Sequence, residues 1–212
     1  MAPGDHSIAG LYVITDARWP RPVPLTEAVA AAIRGGARVV QYRDKSDDAE
    51  RRQQEAQALK AICAQAGVPL IINDDVALAA AGGAEGVHIG QDDPDIGEAR
   101  RQLGPSAVIG VSCYADLDRA RRLAAAGANY LAFGSVYPSP TKPASGRAPL
   151  SVFSEARAFF DGPLVAIGGI QAGNAEAVIE AGADAVAVIN AVFAAEDIAA
   201  AATAISHAIN TG

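Results

Sequence analysis

Lysine is scarce in this chain, occurring only at Lys45, Lys60 and Lys142. Together with a formal net charge of −7, that scarcity excludes the broad basic surface of a general nucleic-acid binder. Cysteine occurs twice, at Cys63 and Cys113, in no CxxC or other metal-ligand spacing. No apolar run reaches the roughly 18 residues that a membrane-spanning helix needs. The opening MAPGDHSIAG has no charged segment followed by an apolar one, so no secretory signal is expected. These absences lead to the expectation of a soluble cytoplasmic protein with reduced thiols and no nucleic-acid or membrane partner. Whether it is a monomer or a homo-oligomer stays open. Aromatics are also few, at 5%, while half of the 212 residues are hydrophobic, with alanine and valine foremost. That composition suits a buried parallel sheet wrapped in helices better than a β-sandwich.

Short apolar runs alternate with helical patterns along the whole length. The runs are 11–15, 38–42, 70–72, 86–89, 108–112, 130–133, 164–167 and 185–189. Amphipathic or alanine-rich segments at 26–34, 47–66 and 117–126 read as helices. Ser46 with Asp47 and Asp48 suits a helix start, and Gly35, Gly67 and Gly127 suit helix stops. A weak repeat supports the count. Gly-Ala pairs at 36–37, 83–84, 127–128 and 182–183 precede the even-numbered runs, and Gly-Val-Pro or Gly-Pro precedes the third, fifth and seventh. Four double units of strand-helix-strand-helix predict a single (β/α)8 barrel domain over residues 1–212. A doubly wound open sheet is the alternative, but no dinucleotide fingerprint follows the first run.

A barrel gathers the residues that follow each strand onto one face. Arg43 and Lys45 follow run two, Asn73 and Asp74 run three, and Asp93 run four. Ser112 ends run five, Thr141 and Lys142 follow run six within GSVYPSPTKP, Gly168-Gly169 follow run seven, and Ile189-Asn190 close run eight. A hydroxyl beside a lysine offers a phosphate one neutral donor and one point charge. Arg43 and Lys45 add two cations suited to a diphosphate, or form an ordinary solvated loop. Asp74 and Asp93 are hard oxygen ligands suited to Mg²⁺, with helix N-capping as the competing role. The loops after runs seven and eight suit a second phosphate held by backbone N–H groups, or the glycines merely permit a tight turn. His88 is expected as a packed barrel residue rather than a zinc ligand, and Cys113 as a structural thiol. The stretch 17–24, with Trp19, is either a lid or a plain surface loop. The residues thus point to an enzyme that holds one diphosphate and one monophosphate, with diphosphate as the leaving group.

The ordered set of motifs is specific. LYVITD at 11–16, QYRDK at 41–45, IINDDVALA at 71–79, GVHIGQDD at 86–93 and IGVSCY at 109–114 are followed by three more. These are NYLAFGSVYPSPTKP at 129–143, LVAIGGI at 164–170 and GADAVAVINAVF at 182–193. In this set the chain resembles the thiamine phosphate synthase family over nearly its whole length. The resemblance implies a transferase that joins hydroxymethylpyrimidine diphosphate to thiazole phosphate with Mg²⁺ as cofactor. It implies that Gln41, Tyr42, Arg43, Asp44, Lys45, Asn73, Ser112 and Lys142 bind the pyrimidine diphosphate, and that Arg43, Lys45, Ser112 and Lys142 carry the catalysis. It assigns Asp74 and Asp93 to Mg²⁺, and Ser139, Pro140, Thr141, Gly169, Ile189 and Asn190 to the thiazole phosphate. Ser139 and Asn190 stand where the family usually has threonine and serine. The rival is a thiazole tautomerase of the same superfamily, which would place a histidine soon after the fifth strand, where this chain has Ser112-Cys113-Tyr114. A non-catalytic phosphometabolite-binding barrel would need no metal acids.

Overall fold

The computed structural model describes residues 8–17, 23–90, 95–138 and 147–210. Among them the chain alternates strand and helix. It runs β1 (Gly10–Ile14), α1 (Leu25–Arg34), β2 (Ala37–Tyr42), α2 (Ala49–Ala66), β3 (Leu70–Asn73), α3 (Val76–Gly82), β4 (Gly86–Ile89) and α4 (Ile96–Leu103). It continues as β5 (Val108–Tyr114), α5 (Leu117–Ala125), β6 (Tyr130–Gly134), α6 (Ser151–Arg157), β7 (Leu164–Ile167), α7 (Ala172–Glu180) and β8 (Ala185–Val188). A short α8 (Asn190–Phe193) and the long α9 (Ile198–Asn210) end it. The eight strands are all parallel, pair in chain order, and close through β8 against β1. This is the expected (β/α)8 barrel. Boundaries differ from the apolar runs by a residue or two; β5 extends to Tyr114, and β8 stops at Val188.

Side chains alternate across each strand, so every second residue enters the barrel and the others meet the helices. Tyr12, Ile14, Val39, Ile71, Val108, Tyr130, Ala132, Val165, Ala185 and Ala187 fill the inside. Leu11, Val40, Ile72, Val87, Val111, Phe133 and Val186 form the outer layer with the helices. The ring of Tyr130 has space because Gly110 faces it; a Cβ on Gly110 would lie 1.8 Å from Tyr130 Cζ. Both cysteines are buried in the outer layer. Burial pushes each thiol up to about 12, so neither is a nucleophile near neutral pH.

The Gly-Ala repeat has a mechanical cause at the far end of the barrel. Gly83, Gly127 and Gly182 all take positive φ as the helix ends. The residue after each of these three pairs then clamps the start of the preceding strand. Glu85, Asn129 and Asp184 each donate a backbone N–H to that strand's first or second carbonyl, at 3.0 Å to Leu70, 2.7 Å to Ile109 and 2.8 Å to Leu164. Each side chain accepts the same residue's N–H in return, at 2.9, 2.9 and 2.7 Å. A cation braces each clamp from the neighbouring helix: Lys60 on Glu85, Arg100 on Asn129 and Arg157 on Asp184.

One helix start differs from expectation. Asp48, not Ser46, caps α2 by accepting from Arg51 N–H at 3.0 Å. Ser46 is drawn away by the Arg51 guanidinium, which donates to its hydroxyl at 2.8 Å.

Candidate active site

The strands' C-terminal ends open into one pocket of about 430 Å³. Inward alternation delivers the polar residues to it. Gln41 and Arg43 come from β2, Asn73 from β3, His88 from β4, and Ser112 and Tyr114 from β5. Gly168-Gly169 after β7 and Ile189-Asn190 after β8 line its other side. Arg43 is fixed at its backbone by Thr15, whose hydroxyl accepts the Arg43 N–H at 2.9 Å. Its guanidinium lies 3.7 Å from the buried Asp16 carboxylate. Lys45 and Asp74 meet at the rim, Nζ to Oδ2 3.0 Å.

The two glycines serve both the turn and the wall. Gly168 and Gly169 have φ of 104° and 67°, which side chains with a Cβ rarely adopt. They are also zipped to the start of the loop after β6: Val136 N–H donates to Ile167 O and Tyr137 N–H to Gly168 O, both at 3.0 Å. A Cβ on Gly169 would lie 2.4 Å from the Pro138 carbonyl oxygen.

Alternation also turns two side chains of the expected ligand set away from the pocket. Tyr42 and Asp44 fall on the second and fourth positions of QYRDK and turn out of the barrel. Tyr42 is buried against α2, and its hydroxyl donates to Glu55 at 2.8 Å. Only its backbone remains for a substrate. Asp44 accepts from Ser46 N–H at 2.8 Å and from the Arg51 guanidinium at 2.6 Å. Burial alone would raise the Asp44 carboxyl; these bonds outweigh it and hold it below its ordinary value. Asp44 therefore braces the loop that carries Arg43 and Lys45. Asp93, Ser139, Pro140, Thr141 and Lys142 lie outside the described residues, as does Trp19.

Among the described acids, Asp74 is distinct from the helix caps. Asp75 caps α3 by accepting from Leu78 N–H at 2.8 Å, and Asp95 caps α4 by accepting from Glu98 N–H at 2.7 Å. Asp74 does neither; it sits at φ 63° with its carboxylate on the rim. A carboxylate beside an amide oxygen donor, Asn73, fits Mg²⁺, which takes one or two carboxylates and fills its remaining sites with water and phosphate oxygens. Among the described residues no three His, Cys, Asp or Glu side chains group as an all-protein metal cage.

Three residues at the site were not assigned to it from sequence, His88 being expected only as a packed barrel residue. His88 faces the pocket as an inward residue of β4, with Nδ1 2.9 Å from the Tyr130 hydroxyl and Nε2 2.9 Å from Ser112 Oγ. Arg119 joins the ends of β4 and β5, donating to Ser112 O at 2.8 Å and to Gly90 O at 3.0 Å. Tyr114 takes φ 57° where β5 meets the mouth. A period-2 count from any buried strand residue would have placed His88 and Tyr114 inside; Arg119 has no such signal.

Known proteins match this arrangement closely. Residues 11–192 match the family model described as thiamine monophosphate synthase. The thiamine-phosphate synthase of Halorhodospira halophila is 58% identical over 92% of this chain and 91% of its own length. That of Thioalkalivibrio sulfidiphilus is 52% identical over 93% of each. The solved thiamine phosphate pyrophosphorylase of Pyrococcus furiosus superposes with a TM-score of 0.87 at 32% identity, covering 96% of both chains. A 3-hexulose-6-phosphate synthase at 20% identity and a TM-score of 0.68 shares the barrel alone. With fold, motif order and identity in agreement from β1 to β8, the chain belongs to the thiamine monophosphate synthase family.

Proposed function

We propose that residues 1–212 work as one barrel enzyme, a thiamine phosphate synthase of the cytoplasm. It joins 4-amino-2-methyl-5-hydroxymethylpyrimidine diphosphate to thiazole phosphate and releases diphosphate. The observation that carries this reading is a single pocket with two unlike sides. Gln41, Arg43, Asn73 and Ser112 stand on one side, and Gly169 and Ile189-Asn190 on the other.

In this reading Gln41 and Asn73 hold the pyrimidine, and Arg43, Lys45, Ser112 and Lys142 hold its diphosphate. Tyr42 and Asp44 contribute through backbone position. Asp74 and Asp93 would hold Mg²⁺, which when bound neutralises diphosphate charge. Ser139, Pro140, Thr141, Gly169, Ile189 and Asn190 hold the thiazole phosphate, largely through backbone N–H groups. The bond from the pyrimidine methylene carbon to the diphosphate oxygen breaks, and the pair leaves with diphosphate. The aminopyrimidine ring shares the cationic charge that appears on the methylene. The thiazole nitrogen then gives its lone pair to that carbon. A neutral ring nitrogen needs no general base, so the protein supplies position and charge. A tautomerase would need an acid/base group soon after the fifth strand, where this chain has Ser112-Cys113-Tyr114 and no histidine.

Purified protein, both phosphorylated substrates and Mg²⁺ should yield thiamine phosphate, read after conversion to its fluorescent oxidation product. Absence of product at micromolar enzyme, with thiazole tautomerisation detected in its place, would reject the reading.

A further inference from the structure

Five side chains form one unbroken hydrogen-bonded line across the inside of the barrel. Gln41 Nε2 donates to the Tyr12 hydroxyl at 2.7 Å. The Tyr12 and Tyr130 hydroxyls are 2.9 Å apart. The Tyr130 hydroxyl is 2.9 Å from His88 Nδ1, and His88 Nε2 is 2.9 Å from Ser112 Oγ. The line passes through β2, β1, β6, β4 and β5. Its two ends are substrate residues in the reading above; the three residues between carry no role there.

Proton counting gives the line a direction. A phenol has one proton to donate. Tyr12 accepts from Gln41, so its own proton goes to Tyr130. Tyr130 then donates to His88 Nδ1. An imidazole that accepts at Nδ1 carries its proton on Nε2, and that N–H donates to Ser112 Oγ. The Ser112 proton is therefore not consumed within the line. The opposite direction would spend it on His88 and turn serine lone pairs toward the pocket. Both tyrosines are fully buried, and burial raises their phenols, so they remain protonated donors. The Tyr130 and His88 rings also stack, with centroids 5.6 Å apart and planes 25° apart.

We propose that Tyr12, Tyr130 and His88 are positioning residues that hold His88 as its Nε2–H tautomer and so turn the Ser112 hydroxyl proton toward the substrate. This rests on the proposed function for the identity of that substrate. Diphosphate oxygens are acceptors only, so a serine that donates attracts them and one that presents lone pairs repels them. The line thus sets the sign of the contact that Ser112 makes.

The test begins with the full chain labelled with ¹⁵N-histidine, whose three histidines keep the spectrum simple. Two-bond ¹⁵N–¹H correlations distinguish the tautomers. His88 should appear as the Nε2–H form in the unliganded protein. A Nδ1–H form or a doubly protonated ring overturns the proposal, whatever the enzyme does with substrate. Tyr130→Phe keeps the ring and removes the central hydroxyl. It should lose the tautomer bias and lower kcat/KM for the pyrimidine diphosphate by about 10- to 100-fold, the range for one hydrogen bond to a charged group. KM for the thiazole phosphate should be unchanged. His88→Gln, which restores an N–H donor toward Ser112, should recover part of the activity that His88→Leu loses. Equal loss in both His88 variants, or an unaltered tautomer and kcat/KM in Tyr130→Phe, overturns it. A protein that shows the tautomer but forms no thiamine phosphate overturns the substrate reading and leaves the tautomer assignment standing.

Discussion

Lys45 and Asp74 face each other across the rim from β2 to β3, Nζ to Oδ2 3.0 Å, while the Lys45 side chain remains 61% exposed. An exposed pair of this kind contributes little to stability, roughly 0–1 kcal/mol. Two groups of opposite charge at a mouth that must receive a diphosphate have a different use. Lys45→Ala should leave the melting temperature within about 3 °C of the parent. Its kcat should fall by about 10²-fold, the scale for removing one electrostatic stabiliser of a departing anion. A large drop in melting temperature with normal turnover would make the pair structural.

Asp74 and Asp75 are adjacent, but only Asp75 caps α3, and paired variants separate that cap from the Mg²⁺ role proposed for Asp74. Asp75 caps α3, so Asp75→Ala should cost about 1 kcal/mol of stability and leave the Mg²⁺ dependence of turnover unaltered. Asp74→Asn keeps a residue that tolerates positive φ and removes only the charge. It should raise the Mg²⁺ concentration for half-maximal activity with little effect on unfolding. If Asp74→Asn titrates with Mg²⁺ like the parent, Asp74 is not a ligand.

The Asp44 carboxyl, held below its ordinary value by Ser46 and Arg51, makes a pH-dependent contribution to stability. A depressed native value favours the folded state above the unfolded value, about 3.9. That contribution is complete at neutral pH and disappears as pH falls through the native value. Asp44→Asn should therefore lower stability at pH 7 and flatten the fall of melting temperature below about pH 4. Parallel acid limbs for the two proteins would show that the pair carries no linkage.

The bottom clamps offer the reverse test, stability without chemistry. Asp184 accepts the Leu164 N–H at 2.7 Å and pairs with Arg157 at the end opposite the pocket. Asp184→Ala strands that N–H and should cost about 1–3 kcal/mol. Residues at this end of a barrel serve folding rather than catalysis, so kcat per folded molecule should be unchanged. A reduced kcat at full folding would contradict the division.

The barrel was legible because strand and helix periods, glycine stops and the double repeat all agree on one answer. What the repeat does, clamping strand starts through Glu85, Asn129 and Asp184, was not, because a side chain's backbone partner has no periodic signature. Within the site, legibility followed strand parity. Gln41, Arg43 and Asn73 are inward residues and enter the pocket, while Tyr42 and Asp44, drawn in by the motif that contains them, face helix α2. The inner line through Tyr12, Tyr130 and His88 joins strands 118 residues apart at its longest step, and only closure of the barrel brings them together.

Gly169 and Gly173 give the final contrast, two glycines four positions apart with opposite surroundings. A Cβ on Gly173, in α7, meets nothing within 4 Å, whereas one on Gly169 lies 2.4 Å from Pro138 O and 2.8 Å from Tyr137 Cβ. Gly169 also holds φ 67°, which costs an alanine about 1–2 kcal/mol. Gly173→Ala should thus be neutral or stabilising by up to about 1 kcal/mol through helix propensity. Gly169→Ala must push back Tyr137 and Pro138, and with them the chain that leads to Ser139, Pro140 and Thr141. Loss of that wall should weaken thiazole phosphate binding by at least about 10-fold, the equivalent of 1.4 kcal/mol. Separate titrations of each substrate check this, with Gly173→Ala as the control for a glycine change in the same segment. Normal thiazole phosphate affinity in a folded Gly169→Ala protein would place that phosphate elsewhere, and the loops after β7 and β8 would be turns only.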